Sequence, residues 1–245
     1  MKYLFPIVCA VVSAVLVFLL MFRSISFQKE QFQAEQLEFA KQSLEKHLEE
    51  YKIQIEKQLT AFSEAVLSNR IFSLRLLVEK DRSSADITEL ASRYLGPMGF
   101  SVLDIADSEN QILSSGHFPA NAGNRLSDII EKLSSDPVII DEFVMGSEKL
   151  MLKAKKEFRI ADIPFLVIGG VEINEDFLDK LVPCGGVRVI LKRGNDYYGM
   201  ADIRSASEIK DNKIIINDKE YPAVEIELSY VGENEPPVLI VILEK

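Results

Sequence analysis

The sequence of 245 residues lacks most of the residue patterns from which catalytic and metal sites are built. It contains no tryptophan and only two cysteines, Cys9 in an apolar segment and Cys184 between a proline and a glycine. This pair predicts neither a disulfide framework nor a thiolate metal site. HExxH, paired CxxC and the G-x-G-x-x-G spacing are also missing. We therefore expect no enzyme activity within this chain, no cofactor and no metal site.

The two histidines are the only candidate histidine bases for nucleophilic catalysis. His47 lies among glutamate and lysine residues in a helical pattern, and we predict that it is solvated. His117 follows Ser114-Ser115-Gly116 at the end of a predicted strand, where it either faces a ligand pocket or has a structural role at the surface.

Positive charge is scarce, since 28 Lys and Arg stand against 38 Asp and Glu, for a formal net charge of −10. Binding to phosphates requires clustered Lys and Arg. The composition therefore excludes nucleic acid as a partner.

Long hydrophobic runs are absent except at residues 4–22, which carry no charge. A helix of this length, at about 1.5 Å per residue, roughly matches a ~30 Å hydrocarbon core. The alternative is a cleaved signal peptide, but Ser24-Ile25-Ser26 after Arg23 is a poor cleavage site. We predict a transmembrane signal anchor over residues 1–23 in the inner (cytoplasmic) membrane, with the bulk of the chain extracytoplasmic.

Glycine and proline are missing from residues 27–79, which predicts one long helix or two in tandem. The helix has an apolar seam, which either packs on the chain's own domain or forms a homodimeric coiled coil; both alternatives can hold in different halves, with the membrane-proximal half pairing and the distal half covering a sheet. Its apolar residues recur in steps of three, four or seven: Leu37, Leu44, Leu48, Tyr51, Ile55, Phe62 and Val66.

The remainder predicts short helices and antiparallel strands. Asp86 is the expected N-cap of a helix over 86–95, and Asn174 that of a helix over 175–181. Period-two patterns predict about five strands with helices on one face, at 100–105, 111–115, 138–144, 150–158 and 164–171. A second, smaller strand-rich unit follows, with hairpins near 193–195 and 217–218 and a buried strand over 238–243. The expected domains are 1–23, 24–80, 81–184 and 185–245.

Four segments carry a family resemblance: 102–104, 111–119 with the sequence Gln-Ile-Leu-Ser-Ser-Gly-His-Phe-Pro, 165–170 and 175–178. Together they resemble the extracytoplasmic sensor regions of bacterial two-component histidine kinases, which in turn resemble Cache domains. The resemblance implies an α+β fold with an N-terminal transmembrane helix, a long membrane-proximal helix, a PAS/Cache-like antiparallel sheet with flanking helices, and the smaller strand-rich unit.

The resemblance also implies that ligand contacts come from polar residues on the cupped face of the sheet and from nearby loops. Arg125, after the Gly123-Asn124 turn, either binds a carboxylate or lies on the surface. Lys153 and Lys155 share one strand face, and we interpret both as solvated rather than ligand-binding. The candidates are Tyr94, Asp104, His117, Arg125, Lys153 and Lys155.

The sequence thus predicts the ligand-sensing input module of a bacterial receptor of the histidine kinase type, which binds an unknown small molecule. The long helix is expected to carry the ligand-induced change to the membrane. The alternative is a membrane-anchored structural or adaptor protein of the cell envelope. Receptors of this family continue into a second transmembrane helix and a cytoplasmic kinase or chemoreceptor region, so we expect either a fragment or an input module without its own output.

Overall fold

The structure is a computed structural model that describes residues 4–144, 146–182, 185–199, 203 and 205–244, with the side chains of 4–15, 129 and 131 excepted. Of the predicted membrane anchor, residues 1–23, the first three residues and the side chains of residues 4–15 therefore lie outside the described part of the chain, as does Cys184. In the part of the chain that is described, no helix combines the length and the apolar character needed to cross a membrane.

Helix α1 (Leu4–Ser68) is the longest element. It ends before Asn69, which has an extended backbone. The side-chain oxygen of Asn69 caps helix α2 (Arg70–Ser73) by accepting a hydrogen bond from the Phe72 amide. A π-helix (Leu74–Glu79) follows and stops at Lys80, which is left-handed with φ of 54°. The prediction of one long helix or two in tandem over 27–79 is confirmed, with the interruption at Asn69.

The first sheet has six strands among the described residues, in the order β10-β3-β4-β5-β1-β2. All neighbours are antiparallel except β10 and β3, which are parallel. The strands are β1 (Val102–Asp107), β2 (Ile112–Ser115), β3 (Val138–Val144), β4 (Ser147–Ile160), β5 (Ile163–Glu172) and β10 (Tyr230–Val231).

The second sheet has the order β7-β6-β11-β9-β8 and is antiparallel throughout the described residues. Both predicted hairpins are confirmed; Asn217 and Asp218 have φ of 49° and 63°, as a two-residue hairpin turn requires. The apolar run over 238–243 forms the central strand. The strands are β6 (Val187–Arg193), β7 (Asp196–Tyr198), β8 (Lys213–Ile216), β9 (Lys219–Glu227) and β11 (Val238–Leu243).

Among the described residues, a 3-10 helix (Pro119–Asn121) and four short α-helices complete the fold: α3 (Ala85–Thr88), α4 (Leu90–Leu95), α5 (Asp128–Glu131) and α6 (Glu175–Leu181). The prediction of Asn174 as an N-cap is confirmed, since its side chain accepts from the Phe177 amide at 3.0 Å. The prediction for Asp86 is wrong. Ser84 caps α3 instead, because its hydroxyl accepts from the Asp86 amide at 3.3 Å and Asp86 lies inside the first turn.

Helix α1 packs across one face of both sheets. The seam residues predicted from the sequence are buried in the chain's own core, apart from half-buried Tyr51, whose ring lies 5.1 Å from that of Phe177. Of the two alternatives, this seam therefore packs on its own domain. Gly169 permits the close approach, because a Cβ there would lie 2.9 Å from Cδ2 of Leu59.

The opposite face of the first sheet is covered by the segment that contains α5. Leu126, Ile130 and Leu133 pack there against Val102 and Ile140, among other apolar residues. The prediction that the helices lie on one face is therefore wrong. The physical reason is that β1 is buried on both of its faces, so each face needs a cover.

Candidate functional site

Five polar side chains are brought together beneath this cover, on the face of the first sheet that points away from α1. The alternation of a strand explains the orientation, because Leu103 and Ile105 of β1 belong to the core around α1. We name this group the β1–β4 polar cluster. Its members are Asp104, Ser115, His117, Glu142 and Lys153.

Lys153 is fully buried, with 0% of its side chain exposed. Its Nζ donates to both carboxylate oxygens of Glu142, at 2.7 and 2.8 Å. Gly170 makes room for the lysine stem, since a Cβ at that position would lie 3.0 Å from Cβ and Cγ of Lys153. Our interpretation of Lys153 as solvated was wrong, because β4 is an internal strand and the 126–133 segment covers its outer face.

Asp104 is buried with one carboxylate oxygen unsatisfied. Oδ1 accepts no hydrogen bond from any described residue, and Nδ1 of His117 lies 3.6 Å away. Burial raises the pKa of Asp104 above its usual range, and Lys153, His117 and the hydrogen bond from Ser115 only partly oppose that shift. An unpaired buried carboxylate oxygen is costly, so this position favours a hydrogen-bond donor from outside the chain.

His117 lies at the edge of the cluster, with 10% of its side chain exposed. The chain turns at Gly116, where the backbone passes too close to its neighbours for a side chain: the amide donates to the Leu103 carbonyl oxygen at 2.7 Å, and a Cβ would lie 2.9 Å from the Ala91 carbonyl oxygen. The turn returns the imidazole to the cluster, with Nδ1 at 3.3 Å from the Ser115 hydroxyl. A role for His117 in ligand binding stays a prediction.

The other predicted site residues lie elsewhere. Tyr94 is on the α1 side of the sheet, where its ring centroid lies 5.3 Å from that of Phe62 with the two rings tilted by 54°. Arg125 is exposed, and its backbone forms a bridge with Gln111. Lys155 lies half-buried beside an open cleft on the cluster's face, lined also by residues such as Leu126 and Leu166. The ligand-binding roles predicted for these side chains stay untested.

Sequence reasoning missed two members of the cluster, Ser115 and Glu142. The only signal was their place in predicted strands, because the sequence gives no register that would bring Glu142 to Lys153. The prediction that His47 is solvated was also wrong. His47 is half-buried, with Nδ1 at 3.5 Å from the Leu181 carbonyl oxygen.

A second polar group joins the two sheets, and we name it the inter-sheet cluster: Asp141, Glu148, Arg193, Tyr230 and Asn234. The Arg193 guanidinium lies 2.9 Å from both Asp141 and Glu148. Tyr230 and Asn234 donate to Oδ2 of Asp141 at 2.6 and 2.7 Å. Burial and the hydrogen bond to Asp141 raise the pKa of Tyr230 to about 12, so the phenol stays a donor at neutral pH.

The chemistry of the β1–β4 polar cluster suits recognition of a small polar molecule. It offers an unpaired carboxylate oxygen, an imidazole and a serine hydroxyl, next to the ion pair between Lys153 and Glu142. Within the described residues, no group of three or more His, Cys, Asp and Glu side chains could hold a metal ion.

Comparisons with known proteins give no match among protein-family models and none among curated proteins. Solved structures do match. The periplasmic domain of LuxQ from Vibrio cholerae has a TM-score of 0.55 and 13% identity over 84% of this chain and 98% of that domain. The sensory domain of the Campylobacter jejuni chemoreceptor Tlp3 has 0.55 and 11%, over 88% and 94%.

The ligand-binding domain of the Pseudomonas fluorescens chemoreceptor CtaA, solved with L-alanine, has a TM-score of 0.50 and 11% identity, over 88% of this chain and 96% of that domain. At such identities the likeness establishes the fold. The chain therefore has the mixed α+β fold of the periplasmic sensor domains of histidine kinases and chemoreceptors, with a long N-terminal helix and two sheets, and the resemblance to Cache/PAS-like sensor regions is confirmed at that level.

Proposed function

We propose that this chain is the extracytoplasmic ligand-sensing input module of a bacterial membrane receptor, of the histidine kinase or chemoreceptor type, and has no catalytic activity of its own. Its ligand binds at the β1–β4 polar cluster. The observation that carries the proposal is the buried Oδ1 of Asp104, which has no hydrogen-bond donor among the described residues. The sensor-domain fold is consistent with this function.

The ligand we propose is a small molecule with an ammonium group. Lys153 is already paired with Glu142, so Asp104 is the member whose charge lacks a hydrogen-bonded cationic partner. An ammonium group would supply both the missing donor and the missing charge. The 126–133 segment packs on the same face of the sheet, and we propose that it moves to admit a ligand. L-alanine, which CtaA was solved with, carries such a group and is a suitable first probe.

We propose that residues 1–23 anchor the chain in the inner membrane and that the rest lies outside the cytoplasm. The support is the uncharged run over 4–22 together with the continuity of helix α1 from Leu4 to Ser68. The division into a long helix (24–80), a sensor domain (81–184) and a smaller unit (185–245) also stays a proposal. Strand β10 crosses that last boundary, since Tyr230 and Val231 pair with the first sheet.

We propose a parallel homodimer along α1, through a seam different from the one predicted from the sequence. Helix α1 exposes apolar side chains at intervals of seven residues or multiples of seven, which supplies one of the two apolar positions in each heptad of a two-stranded coiled coil. Lys46 and Thr60 interrupt this repeat. The exposed residues are Ile25, Phe32, Phe39, Ile53 and Leu67.

The test of the sensor function uses the full chain in lipid nanodiscs. Because the protein has no tryptophan, thermal unfolding is best followed by circular dichroism. A ligand at 100 times its Kd should stabilise the fold by about 2.7 kcal/mol. We expect L-alanine or another primary amine in a broad panel to raise Tm, the Asp104→Asn variant to lose that response, and Tyr94→Phe to keep it.

A flat result across amines, carboxylates, sugars and nucleotides would contradict the sensor function and favour the structural or adaptor alternative. A response that survives in Asp104→Asn would place the ligand elsewhere.

A further inference from the structure

We propose that strand β3 relays the state of the β1–β4 polar cluster to the second sheet, and that the change leaves through β10 and β11 rather than along helix α1. This inference rests on the proposed function, because it concerns how the same site is read out. The sequence predicts that the long helix carries the ligand-induced change; we propose instead that the change passes through the edge of the first sheet.

The first step is the alternation of two consecutive residues in β3. Glu142 points to the covered face and holds the buried Lys153 ammonium at 2.7 Å. Asp141 belongs to the inter-sheet cluster, where it accepts hydrogen bonds from Tyr230 and Asn234 and pairs with Arg193. Because neighbouring residues of a strand share one rigid backbone, a shift of Glu142 displaces Asp141.

The second step is the continuity between the two sheets. β10 extends the first sheet beside β3, where the Ile139 amide donates to the Ser229 carbonyl oxygen at 2.9 Å. The same chain segment then enters the centre of the second sheet as β11. Arg193 closes the connection from the other side, since it ends β6, the hydrogen-bonded neighbour of β11. The edge of one sheet and the centre of the other are thus one continuous segment, 229–243.

The third step is where β11 ends. The Glu244 amide donates to the Gly186 carbonyl oxygen at 2.8 Å. Leu243 and Glu244 border a groove together with Phe32 and Phe39 of α1, close in sequence to the proposed anchor. A displacement of β11 would therefore reach the membrane-proximal part of the molecule.

The route along α1 has its own polar contact, which makes the two routes separable. Lys156 lies on the α1 side of β4, and its Nζ donates to the Thr60 hydroxyl at 2.8 Å. The Glu142–Lys153 contact thus joins two strands within the first sheet, whereas the Lys156–Thr60 contact joins that sheet to α1. Both contacts can be cut by single substitutions.

The experiment is hydrogen exchange with mass spectrometry on the full chain in nanodiscs, with no ligand added. Glu142→Gln should raise the exchange rates of amides in 229–243 by about tenfold, through easier local opening, and leave α1 residues 55–66 within about twofold of wild type. The matched control Lys156→Met should leave 229–243 within about twofold of wild type. Unchanged rates in 229–243 for Glu142→Gln, or an equal rise in α1, would overturn the relay.

If Glu142→Gln fails to fold, Lys153→Met gives the same readout, since it breaks the same ion pair.

A second experiment measures the effect of Glu142→Gln in a protein that already carries Arg193→Met. There, adding Glu142→Gln should change the rates in 239–243 much less than it does in wild type, and an undiminished change would rule out relay through the inter-sheet cluster. The exchange experiment uses no ligand, so it tests the relay even if the ligand screen finds nothing. If a ligand raises Tm but exchange in 229–243 does not respond to Glu142→Gln, the relay is contradicted and the sensor function is not.

Discussion

The two faces of the first sheet are both buried, yet they differ in chemistry. The face under α1 is packed with apolar side chains such as Leu103, Leu152 and Val167. The face under the 126–133 segment has apolar residues too, but it also buries Asp104 and Lys153. Burying such groups costs free energy unless each is paired. We propose accordingly that the first face serves stability and the second face serves recognition.

The largest loss of stability is expected from a substitution in the apolar core under α1. Phe62 of α1 is fully buried and its ring contacts that of Tyr94. We expect Phe62→Ala to destabilise the fold by about 3–5 kcal/mol, because the cavity removes both packing and apolar burial. Urea unfolding followed by circular dichroism measures it. Phe143→Ala, at a 74% exposed residue of β3, should change stability by less than about 0.5 kcal/mol. Equal losses for the two variants would contradict this assignment of the core.

The next largest effect is expected from the buried ion pair on the opposite face. Lys153→Met leaves Glu142 without its partner. We expect a loss of about 2–3 kcal/mol, less than the ~3–5 kcal/mol for fully buried pairs because Glu142 keeps 17% exposure. Adding Glu142→Leu should restore most of it. Lys149→Met, which cuts the more exposed pair with Glu172, should cost less than about 1 kcal/mol. Similar losses for Lys153→Met and Lys149→Met would show that the cluster is not energetically distinct.

Asp104, on the face away from α1, should make the free energy of unfolding depend on pH. Burial raises its pKa in the folded state, so above the ordinary value of about 3.9 the folded protein still holds a proton that the unfolded chain has lost. Stability is therefore lost as pH rises through this window, and the loss is complete above the folded-state pKa. Asp104→Asn should lack this component, so its stability relative to wild type should increase as pH rises through the same window. Urea unfolding between about pH 4 and pH 8 tests it, and parallel pH profiles for the two proteins would contradict it.

Most of the elements could be predicted from the sequence, because local signals define them. The missing Gly and Pro predicted the long helix, the Asn217-Asp218 pair predicted a hairpin, and Asn174 predicted a helix start. The short helix after residue 84 was predicted with the wrong cap, since Ser84 and Asp86 are both good N-cap residues and only the backbone decides between them.

The site could be predicted only in part. Asp104, His117 and Lys153 were among the candidates, but their burial depends on the 126–133 segment folding over the sheet, which no local pattern encodes. Period-two alternation shows which side chains share a face and not whether that face is covered, so Lys153 was interpreted as solvated. Glu142 was missed because its contact with Lys153 depends on the register of β3 against β4.

The smallest test compares two adjacent serines of β2 that point to opposite faces. The Ser114 hydroxyl accepts from the Ala91 amide and donates to the Thr88 carbonyl oxygen, both at 2.9 Å, so it fastens α3 and α4 to the sheet. The Ser115 hydroxyl belongs to the β1–β4 polar cluster.

Ser114→Ala should therefore cost about 1–2 kcal/mol, because it leaves two buried backbone groups unsatisfied, and should leave the response to an amine ligand intact. Ser115→Ala should change stability by less than about 1 kcal/mol and weaken that response, since Asp104 loses a donor that orients its carboxylate. Thermal unfolding with and without ligand measures both effects in one experiment. If Ser114→Ala weakened the response as much as Ser115→Ala, the two faces would not be functionally separate, because an alteration on the α1 side would then reach the cluster through the sheet.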